Sequence, residues 1–185
     1  NQLWQLGLSI EQLATLGLAL GADVPVFIRG YSGFAEGVGE QLLPLKLPEK
    51  WFIVIKPPIE VSTATIFAHS RLTRDTRPIR IAAFFDAQHR HENTQPPYNG
   101  VLGNRFEQAL GEQLHNDCES VVCSEYPEIA QALSWLSKHG KARLTGTGSC
   151  IFASFDTKAQ AQTVMDQRPA ELSGFIAKSC DHSPA

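Results

Sequence analysis

The sequence predicts an α+β fold in two parts: a mostly helical stretch over residues 1–47 and a sheet-and-helix domain over 48–185. Three observations lead there. Apolar residues at helical spacing (Ile10, Leu13, Leu16, Leu20) open the chain. Strand-like runs at 51–55, 142–155 and 174–180 alternate with helical stretches in the remainder, and the middle one folds back on itself as an antiparallel pair. Between the two parts Pro44 and Pro48 punctuate the chain and mark a boundary near 45–50.

In chain order, Leu3, Trp4, Leu6 and Gly7 read as the end of an earlier helix closed by a glycine. Ser9 and Gln12 form a capping-box pattern that starts the next helix, which Gly21 stops. Residues 24–29 lead into extended structure or a helical turn, and 33–40 alternate as an edge strand with a turn. After the strand at 51–55, residues 61–70 read as a helix opened by Ser62 or Thr63. Residues 78–88 carry Ile81, Phe84 and Phe85 on one helical face, and 88–103 read as a polar loop. Helices follow at 104–114 and 126–139, then the strand–loop–strand unit, a helix at 157–167 and a last strand.

Composition narrows the function classes. With 43% hydrophobic and 19% charged residues the chain is of ordinary globular type. A net charge of −3, with no interleaved basic and aromatic residues on any strand, argues against a nucleic-acid partner. The longest apolar runs are far too short to span a bilayer, so no membrane partner is expected. Cys118, Cys123, Cys150 and Cys180 form no CxxC pair and are expected as buried, reduced thiols of a cytoplasmic protein. His89 and His91 lie in the polar loop without further ligands, so no metal site is read there. Asn1 is not a methionine, and the chain reads as the downstream part of a larger protein; its oligomeric state carries no sequence signal.

Two segments carry chemistry. Thr145-Gly146-Thr147-Gly148-Ser149 sits between two apolar runs, where glycines admit close approach and hydroxyls and backbone N–H groups can face an anion such as phosphate. By itself this is also an ordinary hairpin turn. Far upstream, Asp23 is held between Gly21 and Pro25 and can accept a hydroxyl proton as that oxygen attacks phosphorus; the plainer reading is a helix N-cap or turn aspartate. Phe67 can stack on a base, or lie in the core. Cys118 and Cys123 have no histidine placed beside them and are set aside as nucleophiles.

The segments LWQLGLS, LGLALGADVPVFIRGYSGFAEGVGE, KWFIVIKPP, VSTATIF, NDCE, YPEIAQALSWL and ARLTGTGSCIFASF occur in the order seen in the GHMP kinase superfamily. Within it the chain resembles the kinases acting on a cytidine-diphosphate-linked methylerythritol; residues 71–114 match only weakly. The resemblance implies ATP-dependent phosphorylation of that small molecule's 2-hydroxyl in non-mevalonate isoprenoid biosynthesis, with Mg²⁺ expected alongside ATP. It implies Asp23 as the catalytic base, Phe67 as the ring stacking on cytosine, and Thr63 as facing the same substrate. Thr145, Gly146, Thr147, Gly148 and Ser149 are implied to lie beside the phosphates. Residues 1–47 would be the remnant of a truncated N-terminal catalytic domain and 48–185 a complete C-terminal domain.

The family's N-terminal lysine and its glycine- and serine-rich ATP loop have no counterpart in these residues. The expectation is therefore that the 185-residue chain is inactive alone and that its 1–47 region is poorly ordered or sticky. A non-catalytic remnant, or a module of this fold binding a nucleotide or a partner protein, is the alternative. Among enzymes, another sugar or homoserine kinase of the superfamily is the runner-up, disfavoured by the GADVPVF context and the Phe67 segment.

Overall fold

The structure, a computed structural model, describes residues 1, 3–37, 40–44, 47–76 and 115–183. The helices expected at 78–88 and 104–114, the loop at 88–103 and the two histidines within it lie outside the described residues. The described part separates into two compact units, one of residues 1–48 and 180–183, the other of residues 49–76 and 115–179.

In the first unit, residues 3–5 form a turn; the expected helix end is not there, and Gly7 turns the chain at φ 63°. Helix α1 (Ile10–Leu18) starts at the capping box the sequence shows: the Gln12 N–H donates to Ser9 Oγ at 3.2 Å and the Ser9 N–H to Gln12 Oε1 at 2.8 Å. Its buried residues are not the expected leucines but Ala14 and Gly17, while Ile10, Leu16 and Leu20 are exposed. The reason is close approach: a Cβ on Gly17 would lie 2.6 Å from Ile28 Cδ1 and 2.7 Å from Val24 Cγ1. Both partners belong to α2 (Val24–Arg29), which ends at Gly30 in the left-handed conformation. Hairpin β1 (Gly33–Glu36) and β2 (Gln41–Pro44) follows, so the expected single edge strand has a partner. Residues 180–183 join this unit through the Tyr31–His182 bridge and the Ser183 N–H to Gly30 O bond at 2.7 Å.

The second unit is built on an antiparallel sheet of order β4-β5-β3-β6, comprising β3 (Trp51–Lys56), β4 (Arg143–Leu144), β5 (Ile151–Phe155) and β6 (Ser173–Lys178). Alternation along the strands sends Ile53, Ile55, Ile151 and Ala153 to one buried face. Helices supply the other half of that core: Ile66 from α3 (Thr63–Ala68), Val121 and Val122 from α4 (Asp117–Glu125), Ile129 and Leu136 from α5 (Pro127–Ser137), and Ala161 and Val164 from α6 (Lys158–Asp166). Each fully buried isoleucine or leucine contributes about 1.5–3 kcal/mol relative to exposure. Helix α4 was not legible beforehand: its nine residues include five acidic or hydroxyl groups and two cysteines, and only Val121 and Val122 stand out as apolar. The cysteines are free, but of the expected burial only Cys118 shows it in full: Cys123 and Cys150 are half-buried, and Cys180 is exposed because it follows the end of β6. No helix among the described residues is long and apolar enough to cross a membrane.

Candidate active site

The glycine loop closes a hairpin between β4 and β5. The Thr145 N–H donates to Cys150 O at 2.9 Å, as does the Thr145 hydroxyl at 3.2 Å, and the Gly148 N–H donates to Thr145 O at 2.8 Å. Gly146 and Gly148 have φ of 49° and 89°, conformations in which a side chain is strained. Those bonds leave the N–H groups of Gly146, Thr147 and Ser149 without hydrogen-bond partners among the described residues, as is the Ser149 hydroxyl, although Ser149 is only 8% exposed. Converging unpaired donors on a bend are the elements of an anion-binding nest.

The loop is joined to α3 by the Thr63 and Thr147 hydroxyls, 2.9 Å apart. Ser62 caps α3, its Oγ accepting from the Thr65 N–H, and the buried Ile66 holds the helix to the core. One position on, Phe67 is 57% exposed, which removes the core reading of that ring. Phe67, Arg74, Arg143, Thr145 and Gly146 line a common open cleft of about 840 Å³. The structure thus brings Phe67, Thr63 and the loop together.

Residues that sequence reasoning missed hold this arrangement. Arg74 donates to Phe67 O at 2.6 Å, Leu72 O at 3.1 Å and His69 O at 3.2 Å, fastening the end of α3. Arg71 reaches Glu125 at 2.6 Å and Ser124 at 3.0 Å on α4, and the Thr76 hydroxyl donates to Asp117 at 2.8 Å. The signal available was the cluster of arginines after Phe67, but the carbonyls they cap are set by tertiary structure. Beneath the cleft, burial first and Asp117 second push the Cys118 thiol up from its ordinary value, and burial with Glu119 does the same for Cys123. Raised thiols are poor nucleophiles, in keeping with their being set aside.

Asp23 belongs to the other unit. It precedes α2 with φ −81° and ψ −14°, and its side chain makes no capping bond, so the side-chain N-cap reading is not met. The carboxylate is exposed and has no hydrogen-bond or ion-pair partner among the described residues. Pro25 behind it is fully buried, which fixes the start of α2 on the inside while Asp23 faces outward. No group of three or more His, Cys, Asp or Glu side chains among the described residues is placed to hold a metal ion.

Comparison with known proteins shows which family these residues belong to. A family model described as GHMP kinases C terminal matches residues 102–174. The 4-diphosphocytidyl-2-C-methyl-D-erythritol kinase of Hahella chejuensis is 48% identical over 184 residues, all of this chain and 55% of its own length. The enzymes of that name from Marinobacter nauticus and Haemophilus influenzae are 46% and 44% identical, with 56% and 51% of their lengths covered. The chain spans about half the length of the curated relatives it matches. A solved structure of 4-(cytidine 5'-diphospho)-2C-methyl-D-erythritol kinase has a TM-score of 0.65 over 96% of this chain and 59% of that one, at 24% identity, which shows a shared fold. The chain belongs to the GHMP kinase superfamily. Within it, the relatives that match it from end to end are 4-diphosphocytidyl-2-C-methyl-D-erythritol kinases.

Proposed function

We propose that this chain carries the proton-accepting and phosphate-facing parts of a kinase that phosphorylates the 2-hydroxyl of 4-(cytidine 5'-diphospho)-2-C-methyl-D-erythritol, a step of non-mevalonate isoprenoid biosynthesis. The observation that carries the reading is the loop with three N–H groups unpaired among the described residues, bonded through Thr147 and Thr63 to the helix that exposes Phe67. A base stacked on Phe67 and a diphosphate at the loop match the two ends of such a substrate in chemistry. The names of the relatives support the same substrate.

ATP supplies the phosphoryl group, and Mg²⁺ is expected with its phosphates; the described residues offer no ligand cluster that we would assign to the ion. Asp23 accepts the proton of the 2-hydroxyl as its oxygen bonds to the γ-phosphorus and the bond from phosphorus to the bridging oxygen breaks. An unpaired, exposed carboxylate is free to take that proton. The donors of Gly146, Thr147 and Ser149 hold the phosphate charge without a reorganisation cost at the moment of transfer. On this reading 1–47 is the tail of the domain bearing the base and 48–185 is the second domain; the described residues divide close to that boundary, between 48 and 49, while 180–183 return to the first unit.

The test is product formation from ATP and the diphosphocytidyl substrate, followed by mass spectrometry. It compares the chain alone with the chain fused to the portion of the Hahella relative that it does not span. Transfer by the fusion to this substrate and not to homoserine is the expected result. A fusion that folds, binds ATP and leaves the substrate unmodified overturns the proposal.

A further inference from the structure

One of the loop's free donors is linked through its own peptide group to a side chain that stands outside the loop. Asn116 is the N-cap of α4, its Oδ1 accepting the Cys118 N–H at 3.0 Å. The same carboxamide donates from Nδ2 to Leu144 O at 3.1 Å and to Gly146 O at 2.7 Å. Glu119, one turn along α4, accepts the Leu144 N–H at 3.0 Å, so the helix grips the last residue of β4 by both of its backbone groups.

The consequence follows from peptide geometry. In a planar trans peptide the C=O and the next residue's N–H point in opposite directions. Drawing the Gly146 carbonyl toward Asn116 therefore turns the Thr147 N–H away from α4, and that N–H is one of the three without a partner. Drawing the Leu144 carbonyl inward likewise aims the Thr145 N–H across the hairpin at Cys150 O, the bond observed.

We propose that Asn116 is a positioning residue that sets the Thr145–Ser149 loop from the N-terminus of α4 and aims the Thr147 N–H at a phosphate group. The aim rests on the reading of the loop as phosphate-facing. Substitution can separate its two tasks. Asn116→Asp and Asn116→Ser each keep an oxygen to cap α4. Neither can donate twice to the loop, and the aspartate sets a carboxylate against two carbonyl oxygens.

The experiment is ¹⁵N–¹H NMR of the 185-residue chain titrated with inorganic pyrophosphate, with amide exchange read in the same samples. Wild type is expected to shift at Thr147 on adding pyrophosphate. Both variants are expected to keep the exchange protection of Val122 and Cys123, to exchange Thr145 and Gly148 at least tenfold faster, and to bind pyrophosphate at least tenfold more weakly. A wild-type chain indifferent to pyrophosphate removes the phosphate-facing reading and the aim that rests on it. A responsive wild type with equally responsive variants leaves that reading standing and overturns the role of Asn116. Loss of α4 protection in both variants makes Asn116 a helix cap alone and also overturns it.

Discussion

In the sheet unit Ile53, Ile55, Ile66, Ile129, Leu136 and Ile151 are completely buried, whereas in the helical unit Leu3, Trp4, Leu20 and Phe27 stand 74–86% exposed. The two regions are similarly apolar in sequence and differ in how that apolar surface is used. Strands paired in register give β3 and β5 one continuous buried face, onto which four helices pack. Helices α1 and α2 meet instead through Ala14, Gly17 and Pro25, small or compact groups that bury little area. The comparison separates the candidate residues by support: the loop and Phe67 sit on a cored scaffold, and Asp23 on a short helix with few buried side chains.

The largest effect should come from the weakly cored region. Asp23→Asn removes the proposed proton acceptor and is expected to cost about 10²–10⁴ in transfer rate in the active fusion. The melting temperature should stay put, since the carboxylate is exposed and without a partner. A rate within tenfold of wild type would make Asp23 a turn residue and leave the chemistry to the sheet unit.

Stability should divide the other way. Ile55→Ala empties a fully buried position at the centre of the sheet and should cost about 2–5 kcal/mol in urea unfolding. Leu20→Ala, at 85% exposure, should lie within about 0.5 kcal/mol of wild type. Equal losses would mean that the helical unit has a core of its own.

The same division explains what the sequence made legible. Strands β3 and β5 were visible as short apolar runs, and α1 because its capping box is local. The buried side of α1 was misjudged: the leucine stripe suggested one face, but the close approach to Val24 and Ile28 is possible only at Gly17. Helix α4 was missed because only Val121 and Val122 stand out as apolar among its nine residues, and the loop that Asn116 bonds lies 28 and 30 residues further on, which no local pattern encodes. Of the site, Thr63, Phe67 and the loop could be named from the sequence. Arg74 and Asn116 could not, because what they hold are backbone carbonyls.

Phe67 tests the sheet unit by ligand affinity. Its ring is 57% exposed while its neighbour Ile66 is fully buried, so α3 keeps its anchor when the ring is removed. Phe67→Ala is expected to weaken binding of cytidine diphosphate by about 1–3 kcal/mol, the scale of one base–aromatic stack, with little change in unfolding midpoint. Calorimetric affinity unchanged by the substitution would detach Phe67 from nucleotide recognition.

The smallest effect sharpens the contrast at the level of single thiols. Burial raises Cys118 and Cys123, with Asp117 and Glu119 adding to it, so both hold their protons to higher pH folded than unfolded. The unfolded chain then binds fewer protons across that window. The stability these thiols contribute is therefore complete below the ordinary thiol range and is lost as pH rises through their folded values. Alkylation at mildly alkaline pH should accordingly reach exposed Cys180 first and Cys118 and Cys123 last. Mass mapping of the first modified site checks this. Early labelling of Cys118 would mean that α4 opens readily, and the sheet unit would then lose its claim to be the better-cored of the two.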